Sequence, residues 1–204
     1  MPPGNRRLTV ESARGLGHDG DMPRLFVALD LPDACKQDLA GRCSGLPAAR
    51  WVRDAQFHLT LRFIGEVEGP KAAEVIDALG SVQVEPFEMA LKGVGHFPPR
   101  GQPRVVWAGV EAGDGLTLLQ GRIERRLRRL GLKPESRKFS PHVSLARLKG
   151  TPAELVVQWL MTHGDLRSDP FPVRMFLLYS SVLGRGGSQF SVEAAYPLAA
   201  PSRT

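Results

Sequence analysis

With only two cysteines, no long apolar run and none of the glycine-rich nucleotide loops, this 204-residue sequence excludes several classes of protein at the outset. Cys35 and Cys43 stand eight positions apart. On a helix that spacing rises about 12 Å, beyond the ~7 Å a disulfide bridges. Two cysteines without a second ligand pair do not build a structural zinc site either. A reduced chain in the cytoplasm is expected. No apolar stretch approaches the ~20 residues that span a bilayer. The opening MPPGNRRLTVESARG has basic residues but no apolar h-region, so neither a membrane span nor a secretory signal is read here. G-x-G-x-x-G, P-loop and G-x-S-x-G elements are all missing, which removes the usual nucleotide-fold and serine-hydrolase readings.

Positive charge is in excess: 27 Lys and Arg against 21 Asp and Glu, a net of +6. Residues 121–138 (GRIERRLRRLGLKPESRK) hold eight basic and two acidic side chains, so this one segment carries the whole excess. A concentrated basic stripe is the footprint of a phosphate or nucleic-acid binder; a solvated helix face gives the same count.

Hydrophobic periodicity predicts an α+β chain. Strands are expected at RLFVALDLP, FHLTLRFIG, FEMALKGVG, PRVVWAGVEAG, FSPHVSLARL, FPVRMFLLYSSVL and SQFSVEAAYPL. Helices are expected at DACKQDLAGRC, with Asp33 as N-cap, and at PKAAEVIDALG, with Pro70 at the first helical position and Gly80 at the end. A third is LTLLQGRIERRLRRLG, with Leu116, Leu119, Ile123, Leu127 and Leu130 on one face and its arginines off that face. The fourth, TPAELVVQWLMTHG, opens with a capping box from Thr151 to Glu154. Each half runs strand, helix, strand, helix, strand. The expected architecture is therefore a single bilobal domain over 23–198. Two pseudo-symmetric lobes with mainly antiparallel sheets face a central cleft, and the helices lie outside. Residues 1–22 read as a loose extension and 199–204 as a tail.

The middle strand of each half carries a matching tetrad, His58-Leu-Thr-Leu and His142-Val-Ser-Leu, 84 residues apart. Strand side chains alternate faces. His58 and Thr60 therefore share one face and Leu59 and Leu61 the other; His142 and Ser144 pair in the same way. The apolar members can seal the core while two imidazoles and two hydroxyls reach one cavity. That set suits in-line displacement at phosphorus. One neutral imidazole takes a proton from the attacking oxygen, one imidazolium gives a proton to the leaving oxygen, and the hydroxyls bind non-bridging oxygens. No Asp, Glu or Cys shares either tetrad, so no metal site and no cofactor is expected. The residues alone leave either bridging oxygen as the leaving group.

With these tetrads and the stretches RLFVALDLP, HLTLRFIGEV, GVGHFPPRGQPRVVWAGV, FSPHVSLARL and FLLYSSVLGRGGSQFSVEAAYPL, the sequence resembles the two-histidine (2H) phosphoesterases over roughly residues 23–198. The branch it resembles is the bacterial RNA 2′,3′-cyclic phosphodiesterases, formerly called 2′-5′ RNA ligases. The resemblance implies His58 as proton donor, His142 as proton acceptor, and Thr60, Ser144 and Arg147 as phosphate-binding residues. It implies metal-independent hydrolysis of a 2′,3′-cyclic phosphate on an RNA end or nucleotide, leaving a 2′-phosphate. The alternatives are reversible 2′-5′ ligation and a non-catalytic RNA- or nucleotide-binding module. Ser144 stands where the family has Thr, which keeps the hydroxyl and loses the methyl that stiffens χ1. The chain is expected to act as a monomer. His18, His96 and His163 read as structural or solvated, and Trp51, Trp107 and Trp159 as packing residues. Phe26 is the candidate for stacking on a base.

Overall fold

In the computed structural model the described residues are 24–184 and 187–199, so the extension 1–22, with His18, and all but the first residue of the tail lie outside them. The first strand, β1 (Arg24–Asp30), is an apolar run buried at every position but its ends. Pro32 stops it and is the N-cap of α1 (Asp33–Arg42). Asp33 is the first helical residue rather than the expected cap, a place where a carboxylate complements the helix dipole. A three-residue strand β2 (Ala49–Trp51) and a 3-10 turn (Asp54–Gln56) follow, then β3 (His58–Glu66) and α2 (Gly69–Gly80). Strand β4 (Phe87–Phe97) closes the first half.

The second half contains β5 (Val105–Ala112), α3 (Asp114–Arg129), β6 (His142–Leu148), α4 (Ala153–His163), the short β7 (Phe171–Val173), β8 (Met175–Gly184) and β9 (Gly187–Pro197). Leu116, Leu119, Ile123 and Leu127 of α3 are buried as their spacing predicts, and Leu130 caps the helix. The capping box of α4 does not form. Pro152 is its N-cap, and the Thr151 hydroxyl donates instead to the Pro47 carbonyl at 2.7 Å. Strand β2 and the 3-10 turn were not legible in the pattern, because three residues are too few to show a period; the single strand expected at FPVRMFLLYSSVL is divided at Arg174 into β7 and β8.

All nine strands belong to one sheet in the order β7-β4-β5-β6-β3-β1-β8-β9, with β2 pairing β6. Its strand pairs are all antiparallel, in keeping with the expected mainly antiparallel α+β architecture. The third strand of each half crosses over: β4 pairs β5, and β8 pairs β1. The two tetrad strands meet where β3 and β6 pair antiparallel at Leu59 and Val143, the residues that follow the two tetrad histidines. Leu59, Leu61, Val143 and Leu145 are 3 % exposed or less and join the apolar faces of the helices in one core.

The strands break step at equivalent places. Against β1, β3 passes from Arg62↔Val27 to Thr60↔Ala28; against β5, β6 passes from Ala146↔Val106 to Ser144↔Trp107. One extra residue on each tetrad strand, Leu61 and Leu145, makes a β-bulge, which reverses the alternation beyond it. Arg62 therefore turns to the core side, where it is 7 % exposed. Its guanidinium donates to Glu124 Oε2 of α3 at 2.6 Å and to the Phe63 and Lys133 carbonyls. Beyond the same reversal, Phe63 and Arg147 both face outward and are exposed.

Candidate active site

The register at the β3–β6 junction assembles the four polar residues. With Leu59 opposite Val143, antiparallel pairing sets His58 level with Ser144 and Thr60 level with His142, all four on the face away from the core. All four are half-buried. The structure thus brings together the four tetrad residues read from the sequence.

Each histidine is held in the same way. His58 Nδ1 lies 2.7 Å from the Gln56 carbonyl, and His142 Nδ1 lies 2.7 Å from the Ser140 carbonyl. A carbonyl only accepts, so Nδ1 carries a proton in both rings, and Nε2 is the nitrogen whose proton can come and go. The Gln56 side is braced further: the Asp54–Gln56 turn is hydrogen-bonded, and Gln56 Nε2 donates to the Ser188 carbonyl of β9 at 2.6 Å. On the other side, Arg62 and Glu124 hold the segment leading to Ser140, through the Lys133 carbonyl and the Glu135 amide.

The surroundings of the two rings differ. Phe26 lies 5.0 Å from the His58 ring and Phe190 meets it edge-on at 5.4 Å, while Tyr179 stacks on Phe26 at 5.2 Å. His142 has Phe97 edge-on at 4.9 Å and Trp107 at 6.2 Å. Burial is the largest influence on His58 and pushes its pKa below the ordinary 6.5. The Gln56 carbonyl and the Asp30 carboxylate oppose it; His142 and Lys36 reinforce it. Asp30 is itself engaged with Lys36 at 2.7 Å and with the Leu31 amide at 2.9 Å. Burial raises Tyr179 to about 12, so it holds its proton at neutral pH.

Arg147 reaches the tetrad face only because of the bulge. Strict alternation from His142 points it into the core, whereas it is exposed between buried Ala146 and Leu148. It lies opposite Arg50 of β2 and borders an open depression of about 440 Å³ with Arg104 and Gln102. Neither tetrad histidine lines this depression. Phe63, five residues after His58 as Arg147 is five after His142, is 59 % exposed. Sequence reading missed it, although the signal was the tetrad repeat carried on to HLTLRF and HVSLAR.

One aromatic expectation is corrected. Phe26 is 3 % exposed within its ring cluster, so its face is not open to a base. Trp107 packs against Phe97, with ring centroids 5.3 Å apart. It is half-buried beside Ser144 on the tetrad face, and its indole lies over Gly95, where a Cβ would come within 2.3 Å of the ring. Trp51 and Trp159 do pack together, at 5.9 Å. His96 is half-buried with Nδ1 unpartnered among the described residues. His163 packs on Trp159 at 4.7 Å, and burial and Arg42 lower its pKa despite its place at a helix C-terminus. Cys35 and Cys43 are free thiols. No helix is long and apolar enough to cross a membrane, and no group of three or more His, Cys, Asp and Glu side chains converges, among the described residues.

The family model described as LigT-like phosphoesterase matches twice, over residues 29–107 and 109–188. An RNA 2′,3′-cyclic phosphodiesterase of Aeropyrum pernix is 43 % identical over 148 residues, covering 71 % of this chain and 82 % of that protein. One of Archaeoglobus fulgidus is 33 % identical, covering 78 % and 92 %. Among solved structures, a Thermus thermophilus protein superposes with a TM-score of 0.72 at 28 % identity, covering 86 % of this chain and 97 % of that one. Escherichia coli LigT complexed with 3′-AMP gives 0.71 at 26 %, covering 86 % and 98 %.

Proposed function

Because the chain belongs to the LigT-like phosphoesterases, we propose that it hydrolyses RNA 2′,3′-cyclic phosphate ends to 2′-phosphomonoesters with its two tetrad histidines as acid and base. The observation that carries this reading is the matched anchoring of His58 and His142, each by Nδ1 to the carbonyl two residues before it. It leaves two Nε2 atoms, one from each half of the chain, for proton transfer on opposite sides of one phosphorus.

His142 accepts the proton of the attacking water, and His58 donates to the departing 3′ oxygen, the roles the family resemblance implies. Burial lowers His58 in the free protein. The diester's negative charge works in the other direction and favours the imidazolium once substrate is bound. Thr60 and Ser144 donate to non-bridging oxygens, where charge accumulates in the transition state. Arg147, turned to this face by the bulge, adds a fixed cation at its rim. Both histidines come from one chain, so a monomer suffices. Two unpaired thiols suit the reducing cytoplasm.

The test is incubation of the purified protein, with EDTA present, with an oligonucleotide ending in a 2′,3′-cyclic phosphate, followed by identification of the end group. A 2′-phosphate formed at an undiminished rate is expected. A 3′-phosphate, or a rate that vanishes on chelation and returns with Mg²⁺ or Mn²⁺, overturns the reading.

A further inference from the structure

A dense cluster of positive charge lies away from the histidines. Arg122, Arg125, Arg126 and Arg129 of α3 line a depression of about 220 Å³ against the turn Ser81–Gln83 that ends α2. Helix α3 lies on the core side of β3, tied to it by the Arg62–Glu124 pair. The tetrads face the other way, so the sheet separates this depression from the catalytic pair. No carboxylate lines it. Arg122 is occupied with the Gln83 carbonyl. Among the described residues, Arg125, Arg126 and Arg129 form no ion pair, whereas Glu124 on the opposite flank of the helix is taken by Arg62.

Arginines three and four apart on a helix are neighbours whose like charges destabilise it. The stripe from Arg122 to Arg129 rises about 10 Å, and its guanidiniums are the planar, multi-donor groups that match phosphate oxygens. A pre-assembled, uncompensated array of this kind is a site for an anionic chain. Resting on the reading that the substrate is an RNA end, we propose that this arginine groove between α2 and α3 is a second RNA-backbone site, one that holds the body of the RNA on the far side of the sheet from the catalytic pair. It supplies affinity for long RNA and none of the chemistry.

The experiment compares the triple variant Arg125→Gln/Arg126→Gln/Arg129→Gln with the native protein on three probes. These are a mononucleoside 2′,3′-cyclic phosphate, an RNA oligonucleotide with a cyclic end, and the same oligonucleotide with a 3′-hydroxyl. Circular dichroism checks the fold. The variant is expected to turn over the mononucleoside normally while its KM for the oligonucleotide rises. It also binds the 3′-hydroxyl oligonucleotide more weakly. The log–log salt slope for RNA falls by about 2, at ~0.7 for each of the three phosphates that is no longer neutralised. Unchanged KM and slope for RNA overturn the proposal, and so does an equal loss on both cyclic substrates, which assigns the segment to support of the cleft. If the native protein leaves both cyclic substrates intact, the proposed activity fails, while the 3′-hydroxyl probe still reports on the groove.

Discussion

Arg62→Met strips the sheet of a cation that is 7 % exposed and holds three acceptors: Glu124 Oε2 at 2.6 Å, the Phe63 carbonyl and the Lys133 carbonyl. The Glu124 side chain is itself only 18 % exposed. Breaking a buried ion pair by removing one partner costs about 3–5 kcal/mol, because the remaining charge is stranded. For a chain of this size each kcal/mol moves Tm by about 2–4 °C, so a fall of about 6–20 °C is expected. Arg62→Met/Glu124→Met removes both charges and should regain most of that loss, since an apolar pair of similar volume replaces an ion pair at little or no cost. Catalysis should not recover with stability. The Lys133 carbonyl and the Glu135 amide stay untethered in the double variant, and that segment leads to Ser140, whose carbonyl orients His142. Misplacing a reacting group by even ~1 Å is costly, and kcat is expected to fall about 10-fold or more with KM little changed. Urea melts and steady-state kinetics on a mononucleoside cyclic phosphate check both parts. A single variant that loses under ~1 kcal/mol refutes the buried pair. A stable double variant with native kcat refutes the link from Arg62 to His142.

His58→Ala and His142→Ala should each lower kcat about 10²-fold or more, the scale of a lost general acid or base, with thermal melts unchanged; near-native turnover by either removes the two-histidine mechanism. NMR titration of the free protein should place His58 below 6.5, upward from there in His142→Ala and further down in Asp30→Asn, since His142 lowers it and Asp30 raises it. A folded-state value below that of the unfolded chain means the unfolded chain binds more protons in between, so the stability His58 contributes is lost as pH falls from 6.5 through the lowered value. His58 titrating above 6.5 contradicts the burial argument. Phe63→Ala should raise KM for RNA ends about 5-fold or more if the exposed ring stacks on a base, a contact worth ~1–3 kcal/mol; an unchanged KM assigns Phe63 no part in binding.

What the sequence determined by itself was periodic. A period of two put His58 and Thr60 on one strand face and Leu59 and Leu61 on the other, and a period near 3.6 gave α3 its buried stripe. The tetrad recurs 84 residues on, and the family model matches separately over the stretches that carry each copy. Both signals are local, because side-chain direction follows from backbone geometry over a few residues. Tertiary structure decided the rest. Which strand neighbours which is set by long-range pairing, so the exchange of β4 and β8 between the halves left no mark in either segment. The bulges at Leu61 and Leu145 arise from register against β1 and β5. They reversed the direction of the residues that follow them, sending Arg62 inward to Glu124 and Arg147 outward to the exposed face. The same holds for the arginines of α3. Their excess charge could be counted along the chain, but their distance from the histidines was fixed only when the leucines of that helix packed against the core side of the sheet.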